Sequence, residues 1–411
     1  MEGVSAAAYE SVSLHTNDLP GSDSSLAPIG LYVHFPWCIR KCPYCDFNSH
    51  PLNQELPEEE YIAALIADWQ IQHGAHGAHG ASSKAAIQHR KISSVFFGGG
   101  TPSLFSPKSF ARLIEQFAPL LTKDAELTME ANPGTLEYGN LADYRAAGIN
   151  RLSMGVQSFE DDALQALGRI HSASEARSAV DAAQRAGFEN INVDLMHGLP
   201  NQTVTTALKD LKTAIALNVQ HISWYQLTIE PRTEFAQRPP VLPAEETLGE
   251  IETQGLGVLA DAGFDRYEIS AYASDGKQSQ HNRNYWEFGD YLGIGAGAHG
   301  KLTQRNKFTV TRTAHARQPR LYLQQASTQQ WQLESLEVAA DQLPSEFMMN
   351  ALRLIGGVDE TLFEQTTGQP IELIETQLAK WRGMGVLEPK RLALTPLGLN
   401  ALDTVVGDFL P

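Results

Sequence analysis

The stretch His34-Phe-Pro-Trp-Cys38-Ile-Arg-Lys-Cys42-Pro-Tyr-Cys45-Asp-Phe contains all three cysteines of a chain of 411 residues. An odd number of cysteines within eight residues does not fit a disulfide scaffold, which spreads an even number along a short secreted chain. Three thiolates in one tight loop suit an iron–sulfur cluster or zinc. The spacing C-x3-C-x2-C differs from the paired C-x2-C of zinc ribbons, and a structural zinc would need His34 or His50 as its fourth ligand. The spacing therefore favours an iron–sulfur cluster.

The composition of the chain restricts its function class. The chain has 31 basic and 48 acidic side chains and a formal net charge of -17, whereas nucleic-acid-binding proteins usually carry a basic face. It has no run of about 20 apolar residues that would predict a membrane span. Residues 1–28 lack the basic and apolar segments of a secretory signal and are predicted to be a flexible tail. We expect a cytoplasmic protein that does not bind nucleic acid.

Residues 29–270 alternate short β-rich runs with helical patterns. This alternation predicts right-handed crossovers and a parallel sheet, hence an α/β fold. Six such units suffice for a partial (β/α)6 barrel, although an open doubly wound sheet fits the pattern as well. The predicted strands are Leu31–Phe35, Val95–Phe97, Leu127–Ala131, Arg151–Val156, Ile191–Met196 and Ile222–Leu227.

Polar groups or glycines follow every one of these predicted strands. They are the cysteine loop, the Gly98–Thr101 run, Glu130, Gln157, Asp194 and Gln226. The strands of a barrel converge at their C-terminal rim, where ligand chemistry is built. This placement favours the barrel and predicts one shared pocket.

The remainder of the chain has a different pattern. Residues 271–340 are predicted to be an irregular connecting region. Residues 341–411 show three helical patterns and a short hairpin, which predict an α-rich, winged-helix-like domain. Ten acidic and five basic side chains in this last range indicate a packing or docking role rather than DNA binding.

Several spaced motifs agree with one known family. YVHFPWC, KCPYCDF, FFGGGTPS, EANPGT, RLSMGVQSF, GRIH and NVDLMHGLP occur in this order from about residue 30 onward. Together they resemble the radical S-adenosylmethionine superfamily, and within it the HemN-like group. This resemblance implies that Cys38, Cys42 and Cys45 bind a [4Fe–4S] cluster, and that the amino and carboxylate groups of S-adenosylmethionine chelate the fourth iron.

The resemblance also assigns a cofactor pocket to individual positions. Tyr32 would pack beside the cluster and the cofactor. Gly99 and Gly100 would bring bare backbone against the methionyl amino group, which only glycine permits. Glu130 would accept hydrogen bonds from the ribose hydroxyls. The polar lining would be completed by Thr101, Gln157, Arg169 and Asp194.

Two differences from the oxidase branch of the group indicate which branch the chain resembles. The branch of oxygen-independent coproporphyrinogen III oxidases carries a further cysteine two residues after the third, where this chain has Phe47. The segment before Leu31 contains no arginine or lysine for porphyrin propionates. Both favour the heme chaperones of the group, which bind heme and transfer it to an acceptor. A radical oxidase acting on a porphyrinogen and a zinc-stabilised binding protein are the alternatives, and whether the chain cleaves S-adenosylmethionine productively stays open.

The motif His281-Asn-Arg-Asn-Tyr-Trp is similar to an HNxxYW motif of the heme-chaperone branch. A neutral imidazole is a good axial ligand of heme iron, and neighbouring aromatic rings can pack on the macrocycle. His281 is therefore the candidate heme ligand, with His299 as a rival.

The resemblance also implies partners. They are heme and a heme-acceptor protein, with a membrane-bound respiratory enzyme as one candidate acceptor. Peripheral association at the inner membrane face would then accompany the cytoplasmic location. A homodimer is an alternative to a monomer.

Overall fold

The structure is a computed structural model that describes residues 27–73, 90–135, 141–304, 309–328 and 333–411. Nearly all of the tail predicted over residues 1–28 therefore lies outside the described residues. Within the described ranges, twelve strands form one mixed, open sheet and two short strands form a second sheet. In chain order the strands are β1 (Ile29–Phe35), β2 (Trp37–Cys38), β3 (His50–Pro51), β4 (Ile92–Gly99), β5 (Leu121–Ala131), β6 (Arg151–Gln157), β7 (Ile191–His197), β8 (His221–Gln226), β9 (Asp265–Glu268), β10 (Ala271–Ala273), β11 (Tyr291–Ile294), β12 (His299–Gln304), β13 (Thr309–Ala314) and β14 (Glu334–Glu337).

The helices cover the outside of this sheet and build the C-terminal region. No helix of the described ranges is long and apolar enough to cross a membrane. The α-helices found there are α1 (Glu58–His73), α2 (Pro107–Phe117), α3 (Leu141–Ala147), α4 (Asp161–Ala166), α5 (Ala173–Arg185), α6 (Val204–Ala216), α7 (Glu234–Gln237), α8 (Glu245–Asp261), α9 (Gln280–Trp286), α10 (Pro319–Thr328), α11 (Leu343–Ala351), α12 (Glu360–Thr367), α13 (Glu375–Gly383), α14 (Pro396–Leu399) and α15 (Leu402–Gly407).

The centre of the main sheet is parallel. Strands β1, β4, β5, β6, β7 and β8 are neighbours in this order and pair in parallel. A doubly wound sheet would reverse its strand order at a switch point, whereas these strands follow the chain without reversal. The predicted partial barrel is confirmed, and all the strand ends predicted to share a pocket lie at one rim.

Helix α5 illustrates how the sequence fixes the crossovers. The Ser172 side chain accepts a hydrogen bond from the backbone of Glu175, and the Glu175 carboxylate accepts one from the backbone of Ser172. This capping box satisfies two donors that the first helical turn would leave without partners. The small side chains Ala176, Ala179 and Ala183 are buried. They let the helix lie close against the core of the barrel.

The two faces of the barrel strands have different roles. In β1, Leu31 and Phe35 are fully buried on the outer face, where Phe35 stacks on Phe110 of α2 at 5.5 Å between ring centroids. Tyr32 and His34 alternate with them and point to the inner face, because successive side chains of a strand face opposite ways. The inner face is thus polar, and it is the face that builds the site.

The range 271–340 does not form the predicted irregular connection. Strand β11 pairs in parallel with β1, and β12, β13 and β14 extend the sheet antiparallel to one another. Strand β10 pairs antiparallel with β8 on the other side. The prediction is wrong for these residues because strands of three to six residues give too little alternation to be recognised.

The C-terminal region is α-rich, as predicted. Helices α11 to α15 surround a core that also includes Val310 of β13 and Phe288 from the connection between α9 and β11. The predicted hairpin consists of one bridge between Leu387 and Leu394. Arg353 forms a 3.1 Å ion pair with Glu268 of β9, so the region packs directly on the barrel end of the sheet. Its boundaries as a separate domain stay a prediction.

Candidate functional site

The cysteine loop leaves the end of β1 and is closed at its base by the pairing of β2 with β3. Inside the loop, the Cys45 amide donates to the Cys42 carbonyl at 3.1 Å. The Lys41 ammonium donates to the Phe47 carbonyl at 3.0 Å and so holds the far side of the loop. Cys38, Cys42 and Cys45 are all half-buried and line one cavity. The fold therefore brings the three predicted ligands together.

The donor arrangement fits a cluster better than a single metal ion. Among the described residues, no three His, Cys, Asp or Glu side chains converge on a point where they could bind one ion. A mononuclear zinc site requires such convergence of four ligands. A cubane does not, because each cysteine binds a different iron. The three thiols of this loop thus fit a [4Fe–4S] cluster.

Polar groups contact the sulfurs. The Thr101 hydroxyl donates to Cys38 Sγ and the Arg169 guanidinium donates to Cys42 Sγ, both at 3.4 Å. Hydrogen bonds to sulfur stabilise thiolate charge and tune a cluster. Burial raises the pKa of the Cys38 and Cys45 thiols. Metal loading must therefore displace protons from these thiols.

A cavity of about 410 Å³ lies against the cysteines at the C-terminal rim of the barrel. Seven of the eight residues predicted to hold the cofactor line it. They come from the ends of four successive strands and from the loop after α4, which supplies Arg169. The seven are Gly99, Gly100, Thr101, Glu130, Gln157, Arg169 and Asp194.

The glycines at the end of β4 allow a close approach of backbone segments. A Cβ atom at Gly99 would lie 2.4 Å from the His34 ring, and Gly99 also has a φ of 112°. A Cβ atom at Gly100 would lie 2.5 Å from the Trp37 carbonyl oxygen. The Gly100 amide donates to the Phe35 carbonyl at 2.6 Å. The glycines thus hold the strand end against the segment that leads into the first cysteine.

Two carboxyl groups face this cavity with different surroundings. Burial, and then the charge of Asp194, raise the pKa of Glu130 to about 7, although the Gly99 amide donates to its carboxylate at 2.9 Å. Burial also raises the pKa of Asp194. The largest effect in the opposite direction is the hydrogen bond that the Asn192 amide donates to the Asp194 carboxylate at 2.7 Å. Bringing a cation into the cavity would favour the charged form of both groups. S-adenosylmethionine carries such a positive charge on its sulfonium.

Gln157 and Tyr225 show two features of the cavity that the sequence did not predict. Gln157 has a φ of 71°, a left-handed conformation that non-glycine residues adopt at a cost and that clusters at functional sites. The Tyr225 hydroxyl donates to the Gln157 side chain at 2.9 Å and faces the cavity. The sequence pattern pointed to the neighbouring Gln226, which lines the same cavity. Tyr225 is the addition that the structure makes to the site.

Comparison with known proteins agrees with this geometry. A model of the radical SAM superfamily matches residues 32–214, and one of the HemN C-terminal domain matches residues 338–400. The heme chaperone HemW of Haemophilus influenzae is 49% identical over 86% of this chain and 90% of that protein. Its counterpart in Escherichia coli is 46% identical over 88% of this chain and 92% of that protein. This chain belongs to the HemW family.

The fold comparison covers nearly the whole chain. The E. coli coproporphyrinogen III oxidase HemN, a radical SAM enzyme, superimposes with a TM-score of 0.75 over 93% of this chain and 90% of that one, at 23% identity. This similarity confirms the predicted fold. Membership of the HemW family in the radical SAM superfamily implies a [4Fe–4S] cluster and S-adenosylmethionine as cofactors.

Tyr32 is the predicted pocket residue that does not line the cysteine cavity of this HemW-family chain. Its hydroxyl lies 2.9 Å from His34 Nδ1. It faces a second cavity, which shares Gly99 and Glu130 with the first. Tyr32 thus lies in a cavity that adjoins the cysteine cavity through these shared residues. Its contact with the cofactor stays a prediction.

His281, the predicted heme ligand in the HNxxYW motif, is buried in this structure. Its Nδ1 lies 2.9 Å from the Ser94 hydroxyl, and its Nε2 lies 2.9 Å from the Tyr285 hydroxyl. The ring stacks on Phe96 at 5.1 Å, and burial lowers its pKa to about 3. Both ring nitrogens therefore have hydrogen-bond partners, and the side chain is only 1% exposed. Iron ligation by His281 stays a prediction.

Proposed function

We propose that this protein is a heme chaperone that binds heme, a [4Fe–4S] cluster and S-adenosylmethionine, and that transfers heme to an acceptor protein. The observation that carries the proposal is the cavity in which three half-buried cysteines face the Gly99–Thr101 backbone and the carboxyl groups of Glu130 and Asp194. The 49% identity to a protein named as a heme chaperone supports heme as the cargo.

The protein's own groups bind and orient the cofactor in this cavity. Cys38, Cys42 and Cys45 would hold three irons and leave the fourth to the cofactor's amino and carboxylate groups. The cluster, when bound, can supply one electron to the sulfonium. Glu130 would lose its proton near neutral pH as the cationic cofactor enters, and its carboxylate could then accept the ribose hydroxyls. Arg169 would place its positive charge between the cluster and the strand ends.

Heme titration and a decarboxylation assay test this proposal together. After anaerobic reconstitution, added heme should produce a shifted Soret band that saturates near one heme per chain. The same protein, with S-adenosylmethionine and a reductant, should not convert coproporphyrinogen III into protoporphyrinogen IX. Conversion at a rate comparable to that of a true oxidase would overturn the chaperone function and establish the radical oxidase. Absence of heme binding would also overturn the proposal.

The acceptor and location are finer parts of the proposal. We propose a membrane-bound respiratory enzyme as the acceptor, because such enzymes use heme and must obtain it. The chain would then meet its acceptor at the inner membrane face, as a cytoplasmic protein that associates peripherally. Sedimentation with membranes that contain a heme-free acceptor tests this, and membranes that lack the acceptor are the control. Sedimentation velocity with and without heme decides between a homodimer and a monomer.

A further inference from the structure

The second cavity, also of about 410 Å³, lies between the end of β1 and the turn that joins β11 to β12. Aromatic rings form much of its wall. Tyr285 and Tyr291 meet edge to face at 4.5 Å between ring centroids, and Phe47 at the mouth is 64% exposed. Cavities of this size with aromatic walls and a few polar groups are typical of sites for small organic ligands and cofactors.

His299 opens into this cavity at the start of β12. Its side chain is exposed, and no hydrogen bond joins its ring to another described residue, in contrast to the ring of His281. Its backbone is fixed, because His299 pairs with Ala314 in the sheet. Partial burial of the ring, and then the charge of Arg317, lower its pKa, which favours the neutral form at pH 7. A neutral imidazole without a partner can ligate iron.

Arg317 lines the same cavity and supplies positive charge. Its guanidinium is exposed and forms no ion pair with the acids of the described ranges. Its position is set by the backbone, since its carbonyl accepts a hydrogen bond from the Asn48 amide at 3.0 Å. In a chain with a net charge of -17, a cation beside an aromatic cavity is suited to a carboxylate ligand.

The HNxxYW motif builds the wall of this cavity. His281 holds the Tyr285 hydroxyl one helical turn away, and Tyr285 presents its ring to the cavity. Asn284 donates to the Asp290 carbonyl at 3.0 Å and so fixes the turn into β11. Trp286 lies under the Arg353 guanidinium at 4.4 Å. The motif thus acts as a support, with its histidine behind the aromatic wall.

We propose that heme binds in this second cavity, with His299 as the axial ligand of the iron and Arg317 as the partner of a heme propionate. The proposal rests on the proposed function and specifies its binding site. Aromatic Tyr285 and Tyr291 would pack against the macrocycle. Because Gly99 and Glu130 line both cavities, bound heme would border the cofactor site.

The cluster loop is part of this heme site. Besides Arg317, the Asn48 side chain donates to the Ala296 carbonyl at 2.9 Å, and the Asn48 carbonyl lies 2.9 Å from His34 Nε2. Asn48 follows the last cysteine by three residues, and it joins the cluster loop to both segments that frame His299. The conformation of the cluster loop and the shape of the heme cavity therefore depend on each other.

Titration of the reconstituted protein with ferric heme tests the proposal. His299→Ala should weaken heme binding by about tenfold or more and abolish the low-spin spectrum of imidazole-ligated heme, and free imidazole should restore that spectrum. His299→Met, at the same exposed position, should change the spectrum to that of a thioether ligand. His281→Ala should keep the imidazole-ligated spectrum. Arg317→Met should weaken binding several-fold, whereas the matched control Arg320→Met should not.

The outcomes separate this inference from the proposed function. If the unmodified protein binds no heme, the proposed function fails and the site fails with it. If the protein binds heme and both His299 variants keep its affinity and spectrum, only the inference is overturned. Loss of the imidazole-ligated spectrum in a folded His281→Ala variant, with His299→Ala unchanged, would also overturn it and assign the iron to His281.

Discussion

Replacing Glu130 by glutamine should stabilise the protein and weaken its cofactor binding at the same time. The free carboxyl of a glutamate ionises near 4.5, whereas the pKa of Glu130 in the fold is about 7, chiefly because of burial. Glu130 keeps its proton to a higher pH in the folded state than in the unfolded state. The free energy of unfolding therefore falls as the pH rises from 4.5 to 7, and the destabilisation by the buried charge is complete above pH 7. Glutamine carries no charge and removes this cost.

The magnitude follows from the pKa difference. One pKa unit corresponds to about 1.4 kcal/mol, so a rise from 4.5 to about 7 corresponds to about 3 kcal/mol. The Glu130 side chain lines an open cavity and is partly exposed, so water screens part of this cost, and about 1 to 3 kcal/mol is the expected gain. The glutamine carbonyl can still accept the Gly99 amide.

Urea unfolding of the cluster-loaded protein without S-adenosylmethionine, from pH 5 to 8.5, measures this effect. Glu130→Gln should unfold at a higher urea concentration than the unmodified protein above pH 7 and at a similar one at pH 5. Glu250→Gln, at an exposed position of α8, is the matched control and should show no such pH-dependent gain. A Glu130→Gln midpoint equal to or below that of the unmodified protein at pH 8.5 would refute the reasoning. Calorimetric titration of the same variant with S-adenosylmethionine should show weaker binding, which supports a trade-off between stability and function.

Two further predictions concern the frame of the site. Gly100→Ala would place a Cβ atom 2.5 Å from the Trp37 carbonyl oxygen, so the backbone next to the first cysteine must move, at a cost of about 1 to 3 kcal/mol. The iron content of Gly100→Ala after reconstitution should therefore fall. In the control Gly257→Ala the new Cβ atom has no neighbour within 4 Å, and the iron content should stay complete. Equal iron contents in the two variants would contradict the packing argument. The buried Lys301 ammonium lies 3.3 Å from the Asp290 carboxylate. Asp290→Asn removes this countercharge and should lower the free energy of unfolding by about 3 to 5 kcal/mol. Chemical denaturation measures this loss, and a change below about 1 kcal/mol would argue against it.

The sequence predicts which residues line the cysteine cavity where local pattern and chain topology are sufficient. Glu130 and Asp194 end predicted parallel strands, and parallel strands of one barrel deliver their ends to one rim. The cysteine spacing is local as well. Prediction of these positions needs no knowledge of side-chain packing.

Predictions from the sequence are wrong or untested where contacts between residues far apart in the chain determine the structure. The environment of His281 depends on Ser94, which is 187 positions away in the chain. Tyr32 precedes the cysteine loop closely in sequence, yet it lines the second cavity and not the cysteine cavity. The short strands from β11 to β14 continue the sheet from the edge of β1, and β10 continues it from β8. Such pairing leaves no periodic signal in the strand itself.

The most direct test of the central claim is electron paramagnetic resonance of the reduced, reconstituted protein with and without S-adenosylmethionine. Iron and sulfide should first be found at about four each per chain. Addition of the cofactor should then change the g values of the reduced cluster, since the cofactor would bind the iron that Cys38, Cys42 and Cys45 leave free. A signal that the cofactor leaves unchanged, or zinc in place of iron, would contradict the account.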